Sequence, residues 1–347
     1  MDVLSDAVAA MRTGVPHSRR TWFRAPWGVR FAAQQGAGFH VLLQGACWLI
    51  PERGEPIPLG VGDVVFLPRE FGHAIADSPT TPLVDARTRR LRDATAPGQW
   101  IPGAEPYAAP GAESGAGPYA DPGGAEPGGE TSAGATTTLL CGAYSLDQSR
   151  PHPLLAELPD VVHLPARVGQ HPSLRGAIDL LGRELADDTD ALPGAAGVLP
   201  ALLDVLLLYM LRAWYEEQAP RAATGWAAAL RDPAVAAALR AIHREPARPW
   251  TVQSLAAEAD LSRSAFAQRF AATVGSTPLA YVTWWRMISA ARLLRDTDDL
   301  LRTVAEQAGY TSEYAFAKAF KREFGTAPGQ YRNGHRYSVP ANSRKYA

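Results

Sequence analysis

The chain has 347 residues, enough for two or more domains with proper cores. Apolar residues make up 46% and charged residues 20%, a globular composition, and two cysteines exclude a disulfide scaffold and fit a cytoplasmic protein. The net charge of −1 hides an asymmetry: from Leu230 onward there are 17 basic and 10 acidic residues, a basic module for a polyanion attached to an acidic body.

The opening "MDVLSDAVAAMRTG" has neither a basic start nor a long apolar core, so no signal peptide is expected. Residues 28 to 84 read as short strands: "FHVLLQGACWLI" is apolar and β-rich, and "GEPIPLGVGDVVFLP" holds a Gly-Asp turn between two such runs. Residues 93 to 135 contain 10 Gly and 7 Pro, with no Lys or Arg, and are expected to be a disordered insertion in a loop. "TTTLLCGAYSLD" then resumes the β domain, and its strand should return beside the strand bearing His40. Residues 173 to 187 and 198 to 217 read as helices. "LPALLDVLLLYMLRAW" is too short to span a membrane and carries Asp204 and Arg212, so no membrane partner is expected.

From Trp226 the chain is helical, and it repeats itself. Phe266, Phe270, Gly275, Pro278 and Tyr281 recur 50 positions later as Phe316, Phe320, Gly325, Pro328 and Tyr331. Each copy predicts two short helices joined by a tight turn. Thr251, Ser262 and Ser312 suit helix N-caps, Asp260-Leu261 and Gly309 suit the turns, and Gly275 and Gly325 suit the helix ends. A 3.6-residue period puts Phe266, Phe270 and Val274 on one face of the first reading helix, and Phe316, Phe320 and Phe324 on one face of the second. The opposite faces carry Ser264, Gln268 and Ala271, then Tyr314, Lys318, Lys321 and Arg322, which suit phosphates and base edges in a major groove. Between the units, "TPLAYVTWWRMISAARLLR" predicts a rod of about 27 Å, long enough to hold two reading helices about one DNA turn apart.

"LAAEADLSRSAFAQRF", "RMISAARLLR" and "VAEQAGYTSEYAFAKAFKREFGTAPGQYR" resemble the DNA-binding domain of the AraC/XylS family of bacterial transcription regulators over about residues 231 to 335. By position, the resemblance implies DNA contacts for Ser264, Ala267 and Gln268 in the first unit, and for Glu313, Tyr314 and Lys318 in the second; Ser312 and the basic Lys321 and Arg322 are further DNA-binding candidates beside them. Ala267 has only a methyl group to offer, as to a thymine. "GVGDVVFLPREFGH" and "HVLLQG" resemble the cupin motifs, which implies a cupin-type sensor domain in residues 1 to 150. The cupin His-x-His is missing: Gly38 stands at the first motif's usual carboxylate position, two residues before His40.

His40, Cys47, His73 and Cys141 are therefore the candidate effector or redox residues, and three readings fit them. The cysteines are small core residues beside ordinary histidines; or His40, His73 and Cys141 hold a metal, with zinc the suited ion; or the cysteines are redox-active. His17, His152, His163, His171, His243 and His335 have no such company and read as surface or turn residues. The expected architecture is α+β and multidomain: a cupin-like β-barrel (1–150), a helical linker and dimerisation segment (151–229), an all-α double helix-turn-helix domain (230–335) and a tail (336–347). The expected function is a transcription regulator, not an enzyme and without catalytic residues. It would be a homodimer on an operator in duplex DNA, answering a small-molecule, metal or redox effector, with RNA polymerase as a further partner. The alternative is a cupin metalloenzyme tethered to a nucleic-acid-binding domain.

Overall fold

Apolar strands broken by turn residues form the first half of the fold. The computed structural model describes residues 2–33, 36–69, 71–86, 134–147, 151–185, 193–218 and 224–337. The insertion expected at 93–135 lies almost wholly outside these residues, as does most of the expected tail. Among the described residues ten strands form: β1 (His17–Arg24), β2 (Gly28–Phe31), β3 (Ala37–Gln44), β4 (Cys47–Pro51), β5 (Ile57–Leu59), β6 (Val64–Leu67), β7 (His73–Ala76), β8 (Val84–Asp85), β9 (Thr136–Tyr144) and β10 (Val162–Leu164). They make two five-stranded sheets, in the orders β1-β9-β3-β6-β10 and β5-β4-β7-β2-β8. Phe23, Leu42, Val65 and Leu139 from the first sheet pack with Cys47, Leu49, Leu59 and Ile75 from the second in one apolar core. The strand of Cys141 pairs with that of His40, as the apolar run predicted.

The helices are α1 (Val3–Met11), α2 (Pro153–Ala156), α3 (Pro172–Glu184), α4 (Ala195–Gln218), α5 (Trp226–Arg231), α6 (Pro233–Arg244), α7 (Val252–Glu258), α8 (Arg263–Val274), α9 (Pro278–Asp296), α10 (Leu301–Gln307), α11 (Glu313–Phe324) and α12 (Pro328–Tyr337). At 24 residues, α4 outruns the stretch read from sequence, and by length and composition it could cross a membrane. Its Leu203, Leu206, Leu207, Met210 and Leu211 are nonetheless buried against protein.

The chain forms two compact units. One holds residues 15–145 and 158–213, and the other holds residues 1–14, 146–157 and 214–347. This departs from the boundaries expected at 150 and 229. The first 14 residues and the segment 146–157 belong with the helix-turn-helix repeats, where α1 packs on α6 and α9.

Two tyrosines at equivalent repeat positions fasten these segments. The Tyr281 hydroxyl lies 2.7 Å from His243 Nε2 and 3.2 Å from His152 Nε2. Leu154 N–H donates to His152 Nδ1, so His152 Nε2–H donates to Tyr281, whose own proton goes to His243 Nε2. His243 Nδ1–H then donates to Asp6 of α1, at 3.3 Å. Fifty residues on, Tyr331 donates to Asp147 and accepts from Arg295, which also donates to the Ala10 carbonyl. His152 and His243 are buried, contrary to their reading as surface residues. Burial pulls both imidazoles below their ordinary pKa; for His243, the Asp6 hydrogen bond and charge act the other way.

Candidate functional site

Two sites emerge, one in each unit. In the helical unit, local chemistry positions α8 and α11. The Ser262 side chain accepts from Ala265 N–H, and Ser312 accepts from Ala315 N–H. Thr251 forms a capping box with Ser254 at the start of α7. Asp260 makes the first turn with φ 53°, and Gly309 makes the second with φ 77°. A side chain at Gly309 would meet the Ala247 backbone at 2.9 Å. Gly275 and Gly325 end the two helices at φ 78° and 73°.

Phe266, Phe270, Phe316 and Phe320 are fully buried, with ring centroids 5.5 Å apart in the first pair and 5.6 Å in the second. Val274 is buried too, and Phe324 is partly buried against the second core. The opposite faces turn outward. Ser264, Gln268, Ser312, Glu313, Lys318, Lys321 and Arg322 are exposed, Tyr314 is 79% exposed, and Ala267 is partly exposed. Arg263, at the first position of α8, is exposed as well and was missed by the sequence reading. The repeat could have marked it, because its counterpart is Glu313. The rod α9 runs 19 residues, about 28 Å at 1.5 Å per residue.

In the β unit, register assembles the second site. His40 opposes Cys141 on one side and Val65 on the other, and Cys141 opposes Arg19 on β1. Directly opposite residues of antiparallel strands share a face, so Arg19, Cys141 and His40 form one row. His73, from the other sheet, closes on this row: His40 Nε2 is 2.8 Å from His73 Nε2, and His40 Nδ1 is 3.0 Å from Cys141 Sγ. Phe31 stacks on the His73 ring at 5.0 Å.

The hydrogen bonds assign every proton. His73 Nδ1 lies 3.0 Å from the Phe71 carbonyl, which can only accept, so that nitrogen is protonated and Nε2 carries a lone pair. His40 Nε2–H donates to it, and His40 Nδ1 accepts from the Cys141 thiol. Burial keeps both imidazoles neutral, with each pKa below the ordinary value. Burial also pushes the Cys141 thiol up to about 12, with the Arg19 charge acting in the opposite direction. A proton passed from Cys141 to His40 would leave opposite charges about 3 Å apart. At an effective dielectric of about 20 their attraction is about 5 kcal/mol, which acts against the burial that holds the thiol protonated and the imidazole neutral.

Cys47 lies in the same apolar core that Cys141 packs against; burial, with the nearby Cys141 and Asp63 adding to it, pushes its thiol pKa well up. It is buried among Leu42, Leu49 and Leu59, four residues along β4 from Pro51, the residue that opposes His73. Both cysteines are free thiols. Of the three readings of these residues, the zinc site suits the arrangement least. His40 offers opposite ring nitrogens to its two neighbours, so the three side chains do not converge on one point. Among the described residues no group of three His, Cys, Asp or Glu is placed to hold a metal ion.

The chain is similar to known proteins in both of its parts. Residues 2–216 match the family model described as Cupin, and residues 255–334 match the one described as Helix-turn-helix domain. A Streptomyces lividans protein named as an AraC-like transcription regulator is 34% identical over 333 residues, covering 96% of this chain and 98% of its own. The HTH-type transcriptional regulator MtrA of Neisseria gonorrhoeae is 29% identical over 308 residues, covering 88% and 89% of the two chains. Among solved structures, the DNA-binding domain of AdpA in complex with a target DNA is 33% identical, with a TM-score of 0.30, covering 32% of this chain and 98% of that one.

Proposed function

We propose that this chain, which belongs to the AraC-like family of transcription regulators, reads its operator with both repeat units and adjusts transcription to a signal received in the β unit. One observation carries the reading: two serine-capped helices, each with a buried phenylalanine face and an exposed polar or basic face, joined by a continuous helix. Lys318, Lys321 and Arg322 supply phosphate contacts, and Ser264, Gln268 and Tyr314 supply base contacts, with Arg263 beside them at the start of α8. Ser312, Glu313 and Ala267 flank these positions. Leu180 of α3 and Val198 and Val205 of α4 are exposed apolar residues, which suit a homodimer. The complex would act on DNA in the cytoplasm, with RNA polymerase as a partner at its promoters. The signal enters at Cys141, His40 and His73, because these are chemically active groups gathered in an otherwise apolar interior.

The test is genome-wide mapping of bound DNA, followed by gel shifts on the recovered sites with the full-length protein. A shared sequence should emerge, and affinity should fall steeply with salt as Lys and Arg displace condensed cations. Enrichment without a shared sequence, or affinity indifferent to salt, would contradict the reading.

A further inference from the structure

We propose that Cys141 is an oxidisable thiol whose reactant is a small peroxide, with His40 as its proton acceptor and donor, His73 as the residue that positions His40, and Arg19 as the cation facing the reaction. This rests on the reading of the β unit as the signal-receiving unit.

Three observations narrow the signal to a small reactant. First, large apolar side chains crowd the cluster: Phe23, Leu42, Leu49, Ile75 and Leu139 are all buried in the core that Cys141 packs against, and Phe31 stacks on His73. A bulky effector would have to displace this core, whereas a molecule of a few atoms needs only the edge where Cys141 keeps partial exposure. Second, the proton relay runs one way, from the thiol to His40 Nδ1, through His40 Nε2–H to His73, and on to the Phe71 carbonyl. That pattern is a base held in place beside a nucleophile, not a converging ligand set. Third, Arg19 directly opposes Cys141 across the β1–β9 pair, which brings a fixed positive charge to the thiol.

The chemistry follows from the arrangement. His40 Nδ1 takes the Cys141 proton, and the sulfur attacks the distal oxygen of the peroxide. The O–O bond breaks as the S–O bond forms. The thiol is oxidised to a sulfenic acid, and the peroxide is reduced to an alcohol or, for hydrogen peroxide, to water. The departing oxygen recovers its proton from His40, while Arg19 faces the negative charge that builds on it. The neutral hydrogen bond to His40 is lost, so the row that joins β1, β9 and β3 must repack.

The test exposes reduced full-length protein to hydrogen peroxide and tert-butyl hydroperoxide, traps sulfenic acid with dimedone, and reads each cysteine by peptide mass spectrometry. Cys141 should label at least tenfold faster than Cys47, and Cys47→Ser should leave the Cys141 rate unchanged. His40→Gln should slow Cys141 at least tenfold, since general-base assistance is typically worth 10²–10⁴-fold. Should His40→Gln fail to fold, the ratio of Cys141 to Cys47 labelling in the parent protein decides alone. Equal labelling of the two cysteines, or one zinc ion bound per chain in the purified protein, would overturn the proposal. Operator binding of the reduced and oxidised forms separates the two claims. Fast Cys141 oxidation with unchanged operator binding leaves the chemistry standing and removes the sensor reading. A Cys141→Ser variant with altered regulation in cells, but no peroxide labelling of Cys141 in the parent, keeps the sensor and removes the peroxide.

Discussion

Tyr281→Phe removes a single oxygen from a ring that keeps its neighbours. The ring sits 5.9 Å from Trp226, 5.8 Å from Phe270 and 5.5 Å from Trp284, so the apolar packing is preserved. The loss is in hydrogen bonds. The hydroxyl accepts from His152 Nε2–H and donates to His243 Nε2, both deep in the unit. Without it, a buried donor and a buried acceptor lose their partner. At about 1–3 kcal/mol for each stranded group, the variant should lose about 2–6 kcal/mol. A tautomer change at His243 offers no escape, because it would strand the contact to Asp6 instead. A two-unit chain is a poor subject for one global unfolding free energy, so the assay is hydrogen exchange read by mass spectrometry. Amide protection in α6 and α9 should fall at least tenfold and that of the β unit should stay unchanged. Unchanged protection in α6 and α9 would refute the claim that this hydroxyl joins α1 and residues 146–157 to the repeats.

Phe270→Ala should cost about 3–5 kcal/mol through a core cavity, read as a lower thermal midpoint of the helical unit. Arg295→Ala removes a cation that faces Asp147 at 3.6 Å and donates to Tyr331 and Ala10, and should cost about 3 kcal/mol in denaturant melts. His152 and His243 are held below the ordinary imidazole pKa, so the unfolded chain binds protons that the folded one refuses. Their stabilisation is complete above about pH 6.5 and falls as pH drops toward the folded values, by up to about 1.4 kcal/mol per pH unit for each. Denaturant midpoints of the helical unit at pH 7.5 and 5.5 check the sign; a higher midpoint at 5.5 would reverse it.

The repeats were legible because each position answers a local demand. Ser262 and Ser312 cap, Gly275 and Gly325 adopt the left-handed conformation, and the phenylalanines keep the helical period. The pairing of Cys141 with His40 was legible from one apolar run, because such a run must lie within a sheet. β1 was missed: "HSRRTWFR" is polar, and as an edge strand it is specified by its partner β9 more than by its own composition. Arg19 went unnoticed with it. His152 and His243 were misread for a different reason. Their partners are Tyr281 and Asp6, and the Asp6 contact joins residues 237 positions apart. No spacing rule reaches across a whole chain, and an isolated histidine looks the same whether it is buried or exposed.

The most direct test of the central claim is a footprint of the full-length protein on a mapped operator, with Gln268→Ala and Lys318→Ala beside the parent. Both side chains are exposed and lie opposite the phenylalanine faces, so neither substitution should disturb folding. Two major-groove segments about one DNA turn apart on one face of the duplex should be protected. Gln268→Ala should weaken protection at one segment by about 1–3 kcal/mol, and Lys318→Ala should weaken it at the other and reduce the salt dependence of binding. Protection by the parent at a single segment, or footprints and affinities unchanged in both variants, would contradict that claim.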